Sequence, residues 1–262
     1  MKDVTALLLA AGLGTRLGDL TENWPKCLMP VGDKPLLEHW LCMLKRCSIN
    51  RVLVNVHHHR YIVESFLSRE NFKDWVERSY EPKLLGTAGT IRENYKYFAK
   101  QTALIIHADN WCQCDLSSFI RFHQESRPTN TVMTMMTFRT DTPSECGVVK
   151  LNKHGVVQEF KEKVENPPSN IGNAAIYLLE PEVVSWINQQ RTVTDFSTEV
   201  IPKFRGRIAT WENTRIHRDI GTRKSLIDAQ KDPRPAHCWS GDDEWFKAYS
   251  KNKIHSMLAK EN

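Results

Sequence analysis

The sequence predicts an α/β fold with a mixed, mostly parallel sheet flanked by helices. Short apolar runs alternate with helical patterns along the chain, which favours βα units and a largely parallel sheet. The first apolar run, residues 5–10, ends at a glycine loop, as a buried strand of a parallel sheet does. The second half contains several strand-like runs, so we expect it to be richer in β-structure.

Each run predicts one element, and no internal repeat or low-complexity linker interrupts the series. The helix predicted first has Leu37, Leu41 and Leu44 three and four positions apart, which places them on one face. The predicted strands cover residues 5–10, 51–56, 103–107, 131–138, 147–151, 156–160 and 173–179. The predicted helices cover residues 36–44, 61–67, 116–125 and 197–204.

The end of the chain differs in composition from the rest. After the sequence DPRP at residues 232–235 the chain is aromatic and charged, and Trp245, Phe246 and Tyr249 recur at helical spacing. Such a helix can cover an apolar patch. We therefore expect one large domain over residues 1–230 and an extension over 231–262 that docks on it or forms a subunit contact.

Length and charge limit the classes of function. The chain has 262 residues, of which 40% are hydrophobic, enough for one large core. The net charge is +5, but Lys and Arg are spread among nearly as many Asp and Glu. This mild excess suits anionic small substrates, and no basic run of the nucleic-acid-binding type occurs.

The cysteine content and the apolar runs predict the cellular compartment of the protein. Seven cysteines, an odd number, are most simply explained as free thiols in a reducing cytosol. The first 13 residues could pass for a short secretory segment, but only Lys2 precedes the apolar run and a glycine loop follows at once. No apolar run reaches the ~18 residues of a membrane span. We expect a soluble cytoplasmic protein.

A glycine loop with one arginine follows the first predicted strand. Gly12 and Gly14 permit positive φ and let backbone N–H groups approach an anion closely. Arg16 adds a planar, permanently charged guanidinium, and Lys26 follows ten residues later within PKCLMP. The pattern predicts a phosphate site, which a triphosphate would suit.

Two other kinds of glycine loop fit the sequence less well. A phosphate loop of the ATPase type ends in Gly-Lys-Ser/Thr, whereas this loop ends in Gly14, Thr15 and Arg16. A dinucleotide fingerprint needs its third glycine one residue before Gly18. It also needs an Asp or Glu after the next strand, where this chain has three histidines at residues 57–59.

Titratable residues follow two of the predicted strands. Asp109 comes after the strand at 103–107, at the edge where open α/β sheets bind ligands. An unpaired carboxylate is costly to bury there, so we expect a cation beside it, although a helix or turn cap is the alternative role. The three histidines could form a metal cluster. Adjacent residues on a strand point in different directions, which favours an ordinary loop near the site.

At these positions the chain resembles the sugar-1-phosphate nucleotidyltransferases, also called NDP-sugar pyrophosphorylases. The opening match is LAAGLGTRL at residues 9–17, followed by PKCLMP at 25–30 and DKPL at 33–36. Further pieces, in the order of the family along about 220 residues, are LGTAGT at 85–90, HADN at 107–110, EK at 162–163, NAAIY at 173–177 and DIGT at 219–222. The joint occurrence of these pieces makes the resemblance specific.

The resemblance implies a Rossmann-like fold of the nucleotide-diphospho-sugar transferase, GT-A-like type. It also implies the reaction, in which an NTP and a sugar-1-phosphate give an NDP-sugar and pyrophosphate. The catalytic residues that it implies are Arg16, Lys26 and Asp109. The nucleotide-binding residues that it implies are Leu9, Ala10, Ala11, Gly12, Gly14, Thr15, Arg16, Lys26, Gly86, Thr87 and Asp109.

A magnesium site also follows from the resemblance. Asp109 and Asp219 match the metal-binding aspartates of the family, although they lie far apart in sequence. Mg²⁺ favours one or two carboxylates together with phosphate oxygens, and these two residues could supply the carboxylates. We therefore expect Mg²⁺ as the cofactor, bound by Asp109 and Asp219.

The sugar end of the site is implied by the second half of the chain. Lys163 is expected to contact the sugar phosphate, and Glu162 the sugar hydroxyls. The family's usual proline after this lysine is Val164 here, and Ala175 stands where glycine is more usual, so the local turn and the sugar pocket are expected to differ. The implied sugar-phosphate-binding residues are Asn110, Gly147, Glu162, Lys163, Asn173 and Glu199.

The nucleobase is open at this point. The sequence GTAG at 86–89 resembles that of mannose-1-phosphate guanylyltransferases and their bacterial relatives. Glu81, just upstream, could accept hydrogen bonds from guanine N1–H and N2–H₂, although it could serve uracil N3–H too. We add Glu81 to the nucleotide-binding residues and favour GTP, with UTP, CTP or dTTP as alternatives.

The remaining expectations concern context. The expected partners are an NTP and a sugar-1-phosphate, without nucleic acid or membrane, and a homo-oligomer is left open. The expected role is the synthesis of precursors for bacterial surface glycans. Two alternatives from other classes are a non-catalytic homologue that senses nucleotide sugars and a dinucleotide-dependent oxidoreductase, which the loop spacing disfavours.

Overall fold

The computed structural model describes residues 3–259, and the chain divides into two compact units. Unit 1 comprises Met1–Leu7, Leu85–Ile106 and Cys114–Arg215. Unit 2 comprises Leu8–Leu84, His107–Gln113 and Ile216–Asn262. The chain therefore passes between the units more than once.

The described residues form alternating strands and helices. The strands are β1 (Val4–Leu9), β2 (Pro30–Val31), β3 (Lys34–Pro35), β4 (Val52–Val56), β5 (Val76–Tyr80), β6 (Thr102–His107), β7 (Asn110–Cys112), β8 (Met133–Arg139), β9 (Gly147–Leu151), β10 (Val157–Glu162), β11 (Ile171–Leu179), β12 (Ile208–Glu212) and β13 (His217–Asp219). The α-helices are α1 (Leu36–Arg46), α2 (Arg60–Leu67), α3 (Thr87–Glu93), α4 (Tyr95–Phe98), α5 (Leu116–Arg121), α6 (Pro181–Gln189), α7 (Ile201–Lys203), α8 (Arg223–Lys231), α9 (Glu244–Ser250) and α10 (Lys253–Ala259).

In unit 1 the strands follow the order β10-β9-β11-β6-β1, and β8 joins β11 to β12. β11 pairs antiparallel with β6, where Ile176 lies opposite Ile106, and antiparallel with β8 as well. The pairing of β12 with β8 is parallel. Tyr177 of β11 is fully buried and packs its ring 4.6 Å from that of Phe196, between ring centroids.

In unit 2 the strand order is β1-β4-β5, and β4 pairs parallel with β5. All five residues of β4 are buried, as expected for an inner parallel strand covered on both faces. Helix α1 buries Leu37, Leu41 and Leu44, the face that the sequence predicts. Two small antiparallel pairs, β2 with β3 and β7 with β13, complete the unit.

The predicted α/β fold with a mixed sheet flanked by helices is confirmed, and each predicted strand is present with bounds that differ by at most two residues. Two predicted helices are α-helical over only part of their length. The helix predicted at 116–125 continues from α5 into a π-helical turn, Phe122–Ser126. The helix predicted at 197–204 is a π-helical turn, Phe196–Val200, followed by α7, because Pro202 lacks the N–H that a continuous α-helix would need.

The prediction that all cysteines are free thiols is wrong for two of them. Cys42 of α1 and Cys238 form a disulfide across 196 residues of sequence. The chain returns along α1 at this point, where Arg46 Nη2 donates a hydrogen bond to the carbonyl of Ala236 over 2.7 Å. Nothing in the spacing of the cysteines indicates this return. The other five cysteines are thiols.

The aromatic end of the chain packs within unit 2, against its earlier segments. The ring centroids of Trp245 and Tyr249 lie 6.4 Å and 5.9 Å from that of Trp24. The guanidinium of Arg69 donates to Asp243 over 2.6 Å just before α9. Lys34 Nζ lies 3.8 Å from the centre of the Phe246 ring. Within residues 3–259 no helix is long and apolar enough to span a membrane.

Candidate active site

The glycine loop after β1 is shaped around Lys26. Gly14 has φ +68°, and a Cβ added there would lie 2.8 Å from Thr21 Cγ2 and 3.1 Å from Lys26 Cβ. The carbonyl of Gly14 accepts hydrogen bonds from the N–H of Leu17 (2.9 Å) and the hydroxyl of Thr21 (3.1 Å). Glycine is therefore required here both for its backbone conformation and for the missing side chain.

Lys26 lies between two carboxylates. Its ammonium nitrogen is 2.8 Å from Asp109 Oδ2 and 3.3 Å from Asp219 Oδ1. The lysine side chain is only 4% exposed, whereas those of Asp109 and Asp219 are 35% and 49% exposed. The cation is thus buried beneath two carboxylates that solvent or a ligand can reach.

Short strands bring the two aspartates together. β7 pairs antiparallel with β13, so that Asp219 lies opposite Asn110, the residue that follows Asp109. The N–H of Ala108 donates to the carbonyl of Leu9 over 3.0 Å, which fixes the approach to Asp109 beside the end of β1. The predicted encounter of Asp109 with Asp219 is thereby present in the structure.

Asp219 receives three donors. Arg16 Nη2 donates to its Oδ2 over 2.9 Å, and the N–H of Gly221 donates to its Oδ1 over 2.8 Å, in addition to the contact with Lys26. Burial would raise the pKa of Asp219, but Lys26 and Arg16 outweigh it and hold this pKa below its usual value. A Cβ at Gly221 would collide with the Arg16 guanidinium. The carboxylate is therefore ionised at neutral pH.

The donor set fits a magnesium ion shared with phosphates. Within residues 3–259 no group of three or more His, Cys, Asp or Glu side chains could hold a metal. Mg²⁺ does not need such a group, because it is usually bound by one or two carboxylates, substrate phosphates and water. Asp109 and Asp219 supply two such carboxylates. Both are accessible to a ligand, and both contact the ammonium of Lys26.

The three histidines contact backbone atoms. His58 Nε2 and His59 Nε2 lie 3.3 Å and 2.9 Å from the carbonyl of Thr21, in the glycine loop. His57 Nδ1 lies 2.7 Å from the carbonyl of Glu81. These contacts agree with the interpretation of a loop near the site.

Glu81 directly follows β5 and is 2% exposed. Its Oε1 accepts a hydrogen bond from Asn55 Nδ2 over 2.9 Å, and its N–H donates to the carbonyl of Val56 over 2.9 Å. Asn55 also binds the backbone of Ala10. Asn55 is a residue that sequence reasoning missed, because a single amide inside the apolar run VLVNV carries no motif.

In unit 1, Glu162 and Gly147 lie opposite each other across β9 and β10. A Cβ at Gly147 would come within 2.6 Å of Glu162 Oε2, so the glycine makes room for this carboxylate. Burial raises the pKa of Glu162, Lys163 lowers it and Asp195 raises it further, with a net upward shift. Lys163 has φ +49°, and its N–H donates to Cys146 over 3.3 Å.

Asn173 lies at a bulge in β11. Its Nδ2 donates to the hydroxyl of Tyr177 over 2.7 Å, and its Oδ1 accepts from the N–H of Ala175 over 3.0 Å. Ala175 has φ +55°, a conformation that favours glycine, the residue more usual at this position in the resembled family. Burial raises the pKa of Tyr177, and Asn173 acts against that shift.

Glu199 holds a loop in unit 1. Its Oε2 accepts hydrogen bonds from the N–H groups of Thr194 (2.8 Å) and Asp195 (2.7 Å). These bonds, that from Asp195 first, lower the pKa of Glu199. Gly86 and Thr87 meet the same loop, since a Cβ at Gly86 would lie 2.5 Å from the Thr194 carbonyl oxygen. Thr87 Oγ1 accepts from the N–H of residue 196 over 2.7 Å.

The remaining predicted residues lie in unit 2, close to those already described. Leu9 ends β1, and Ala10 and Ala11 are buried after it. Thr15 begins the short 3₁₀ helix of the glycine loop, and a Cβ added at Gly12 would meet no atom within 4 Å. Asn110 is buried in β7, and its carbonyl accepts a hydrogen bond from the Trp40 indole over 3.0 Å.

The predicted residues thus form two sets. Unit 2 brings together Arg16, Lys26, Asp109 and Asp219, and holds Glu81 at the end of β5. Unit 1 holds Gly147, Glu162 and Lys163 on one strand pair, Asn173 at the bulge of β11, and the loop that joins Gly86 and Thr87 to Glu199.

Comparison with known proteins gives relatives that are named as nucleotidyltransferases of sugar-1-phosphates. A uridylyltransferase from Synechocystis sp., named UTP–glucose-1-phosphate uridylyltransferase, is 30% identical over 76% of this chain and 54% of its own. A mannose-1-phosphate guanylyltransferase from Mycobacterium tuberculosis is 28% identical over 87% of this chain and 64% of its own. The chain therefore spans between about half and two thirds of the length of these curated relatives.

A solved structure supports the fold. The UDP-glucose pyrophosphorylase from Acinetobacter baumanii superposes with a TM-score of 0.76 at 16% identity, and the match covers 86% of this chain and 91% of that one. Residues 5–234 match the profile of the family described as Nucleotidyl transferase. The chain belongs to the nucleotidyl transferase family, the family of the sugar-1-phosphate nucleotidyltransferases.

Proposed function

We propose that the protein transfers a nucleotidyl group from an NTP, preferably GTP, to a sugar-1-phosphate and releases pyrophosphate. The observation that carries this proposal is the cluster in which buried Lys26 contacts Asp109 and Asp219 beside the glycine loop of Arg16. Family membership and the names of the relatives support the class of reaction.

The proposed reaction is one displacement at phosphorus. An oxygen of the sugar-1-phosphate attacks the α-phosphorus of the NTP, and the bond from that phosphorus to the bridging oxygen of the pyrophosphate breaks. The attacking oxygen already carries negative charge at neutral pH, so no general base is needed. Catalysis then depends on positioning and on the neutralisation of charge.

The residues of unit 2 act on the triphosphate. The amides of the glycine loop and the Arg16 guanidinium hold the two phosphates that depart. Lys26 has three N–H donors, two of which point to Asp109 and Asp219, so one remains for an oxygen of the transferring phosphoryl group. Mg²⁺ held by Asp109 and Asp219 would neutralise part of the phosphate charge.

The residues of unit 1 act on the sugar phosphate. Lys163, whose backbone is held by Cys146, contacts the incoming phosphate, and Glu162 accepts hydrogen bonds from sugar hydroxyls. The raised pKa of Glu162 suits a carboxyl group that pairs with neutral hydroxyls in a partly buried position. Glu199 supports this end of the site through the backbone of Thr194 and Asp195.

The preference for guanine rests on Glu81. A buried carboxylate at the end of a parallel strand is placed where such sheets bind ligands, and it can accept from both N1–H and N2–H₂ of guanine. Guanylyltransferases occur among the relatives, which also include a uridylyltransferase. UTP is therefore the second candidate substrate. We further propose that such a product serves the synthesis of surface-glycan precursors.

Release of pyrophosphate tests the proposal. The protein is incubated with Mg²⁺, each of the five common nucleoside triphosphates and a panel of sugar-1-phosphates. We expect release with at least one pair, fastest with GTP, and none when either substrate is omitted. The absence of release from every pair would contradict the proposal and favour a homologue that binds nucleotide sugars without catalysis.

A further inference from the structure

Asn55 is a buried amide that links the start of the glycine loop to Glu81. It is 4% exposed within β4, between β1 and β5 in the strand order. Its Oδ1 accepts the N–H of Ala10 over 2.7 Å, and its Nδ2 donates to Glu81 Oε1 over 2.9 Å. One side chain thus connects the ends of three neighbouring strands.

The chemistry of these contacts fixes the amide in one orientation. A backbone N–H can only donate, so the oxygen of Asn55 must face Ala10. The amide nitrogen must then face the carboxylate of Glu81, to which it donates. A flipped amide would place its N–H groups against the N–H of Ala10 and its oxygen against the carboxylate, which would leave buried polar groups unsatisfied.

The backbone of Glu81 is held as firmly as its side chain. Its N–H donates to Val56 over 2.9 Å, and His57 Nδ1 lies 2.7 Å from its carbonyl oxygen. Because a carbonyl oxygen accepts, the histidine nitrogen is the donor in this contact. Asn55 therefore fixes one oxygen of the Glu81 carboxylate, while the bonds to Val56 and His57 fix its backbone.

We propose that Asn55 is a positioning residue that orients the Glu81 carboxylate and thereby sets the discrimination between nucleobases. This inference rests on the proposed function. A site built to hydrogen-bond a base rejects bases that cannot complete its hydrogen bonds, but only when its acceptor is held in place. Asn55 holds the Glu81 carboxylate in place. Its bond to Ala10 also joins this carboxylate to the end of β1, where the glycine loop begins.

Two variants separate the donor to Glu81 from the acceptor of Ala10. Asn55→Asp keeps an oxygen for the N–H of Ala10 and replaces the amide donor to Glu81 by a carboxylate, which repels that of Glu81. Asn55→Leu removes both contacts at similar volume. Asn213→Leu is the matched control, because Asn213 is 3% exposed and its Oδ1 accepts the N–H of Arg215 over 3.1 Å in unit 1.

The measured quantity is discrimination, defined as kcat/KM for the best of the five common NTPs divided by that for the second best, at saturating sugar-1-phosphate. We expect it to fall by about tenfold in both Asn55 variants, as for the loss of one hydrogen bond to a charged group. The KM for the sugar-1-phosphate should be unchanged. Asn213→Leu should lower stability without any change in discrimination.

A second comparison asks whether Asn55 acts through Glu81. In a Glu81→Gln background, Asn55→Asp should produce no further loss of discrimination, since the group that it orients is already altered. Equal losses in the two backgrounds would overturn the inference.

The outcomes distinguish the inference from the function on which it rests. If the wild-type protein releases no pyrophosphate from any pair, the proposed function is wrong. If it turns over but does not discriminate among the NTPs, or if folded Asn55→Asp discriminates as well as wild type, the assignment of Asn55 is wrong. Should Asn55→Leu fail to fold, Asn55→Asp decides alone.

Discussion

At the scale of single residues, the candidate site is held together by charged side chains that pair with more than one partner. Lys26 is buried and contacts two carboxylates, and one of them, Asp219, is also bound by Arg16. Asp109 and Asp219 therefore both hold Lys26 in place, and both carboxylates remain exposed enough to bind an ion. The sequence could predict these four residues from the resemblance, but not the direct contacts between them, which arise only when distant segments meet.

Replacement of either Asp109 or Asp219 by Asn should lower turnover by a factor of ~10² or more, because a preorganised charge that would face the proposed Mg²⁺ and the phosphates is lost. The measurement is kcat at saturating Mg²⁺ and substrates. Asp228→Asn, which removes a carboxylate that pairs with Lys231 in α8, is the control and should keep wild-type turnover. A near-wild-type rate in either site variant would exclude that residue as a ligand.

The two site lysines should have different kinetic effects. Lys163→Met should raise the KM for the sugar-1-phosphate roughly tenfold and leave that for the NTP unchanged, because a point charge acts mainly on the anion that it touches. Lys26→Met should chiefly lower kcat, since charge grows at the transferring phosphoryl group. Steady-state kinetics with each substrate varied in turn would check this. A weaker use of NTP by Lys163→Met would show that Val164 shifts the register of this segment.

At the scale of elements, the strands were predictable because each is a short apolar run with clear ends, as β4 and β6 are. The pairing of β7 with β13 was not, although it brings Asp219 to Asp109. Both strands have three residues, too few for a periodic pattern, and 104 residues separate Cys112 from His217. The disulfide between Cys42 and Cys238 was not predicted either, because the two cysteines lie 196 residues apart in the sequence.

The contacts that attach the C-terminal segment could be predicted from the sequence only in part. The helical spacing of Trp245, Phe246 and Tyr249 predicts a packed face. The anchor is a buried charge cluster that no spacing indicates, in which Arg69 donates to Glu38 over 2.6 Å and to Asp243 over 2.6 Å.

Arg69→Met should lower the free energy of unfolding by about 3 kcal/mol, mainly because buried Glu38 would lose its nearest cation and keep only Lys34 at 3.6 Å. The pair with Asp243, which is 35% exposed, should contribute less. Urea unfolding followed by tryptophan fluorescence would measure this. Lys73→Met breaks an exposed pair with Glu70 on the same part of the chain and should change stability by less than about 1 kcal/mol. Similar losses in the two variants would refute the role of Arg69 as an anchor.

At the scale of the whole molecule, the fold class and the family could be predicted because motifs and apolar runs occur in a fixed order over most of the chain. Global stability depends on buried polar groups that have no such signature. His39 is 7% exposed in α1, donates to the Val31 carbonyl over 3.0 Å and packs on Trp111. Burial, partly offset by the Val31 bond, lowers the pKa of His39 from 6.5 to about 4.

The pKa of His39 predicts how stability depends on pH. Between pH 6.5 and 4 the unfolded chain binds a proton at His39 that the folded chain does not, so stability falls as the pH falls through this range. From pH 7 to pH 5 the contribution of this group is a loss of about 2 kcal/mol. His39→Gln should lose less stability than wild type over that interval, by about this amount, in urea unfolding at both pH values. Equal losses would show that His39 titrates normally.

The central claim is that the α-phosphorus of the nucleotide is transferred to the sugar phosphate. It is tested most directly with GTP radiolabelled at the α-phosphorus, incubated with Mg²⁺ and the best sugar-1-phosphate and then separated by chromatography. The account predicts that the label moves into the NDP-sugar and that the released pyrophosphate carries none. Label that appears as free GMP or leaves with the pyrophosphate would contradict it, as would label that stays in the nucleotide for every NTP tested in the same way.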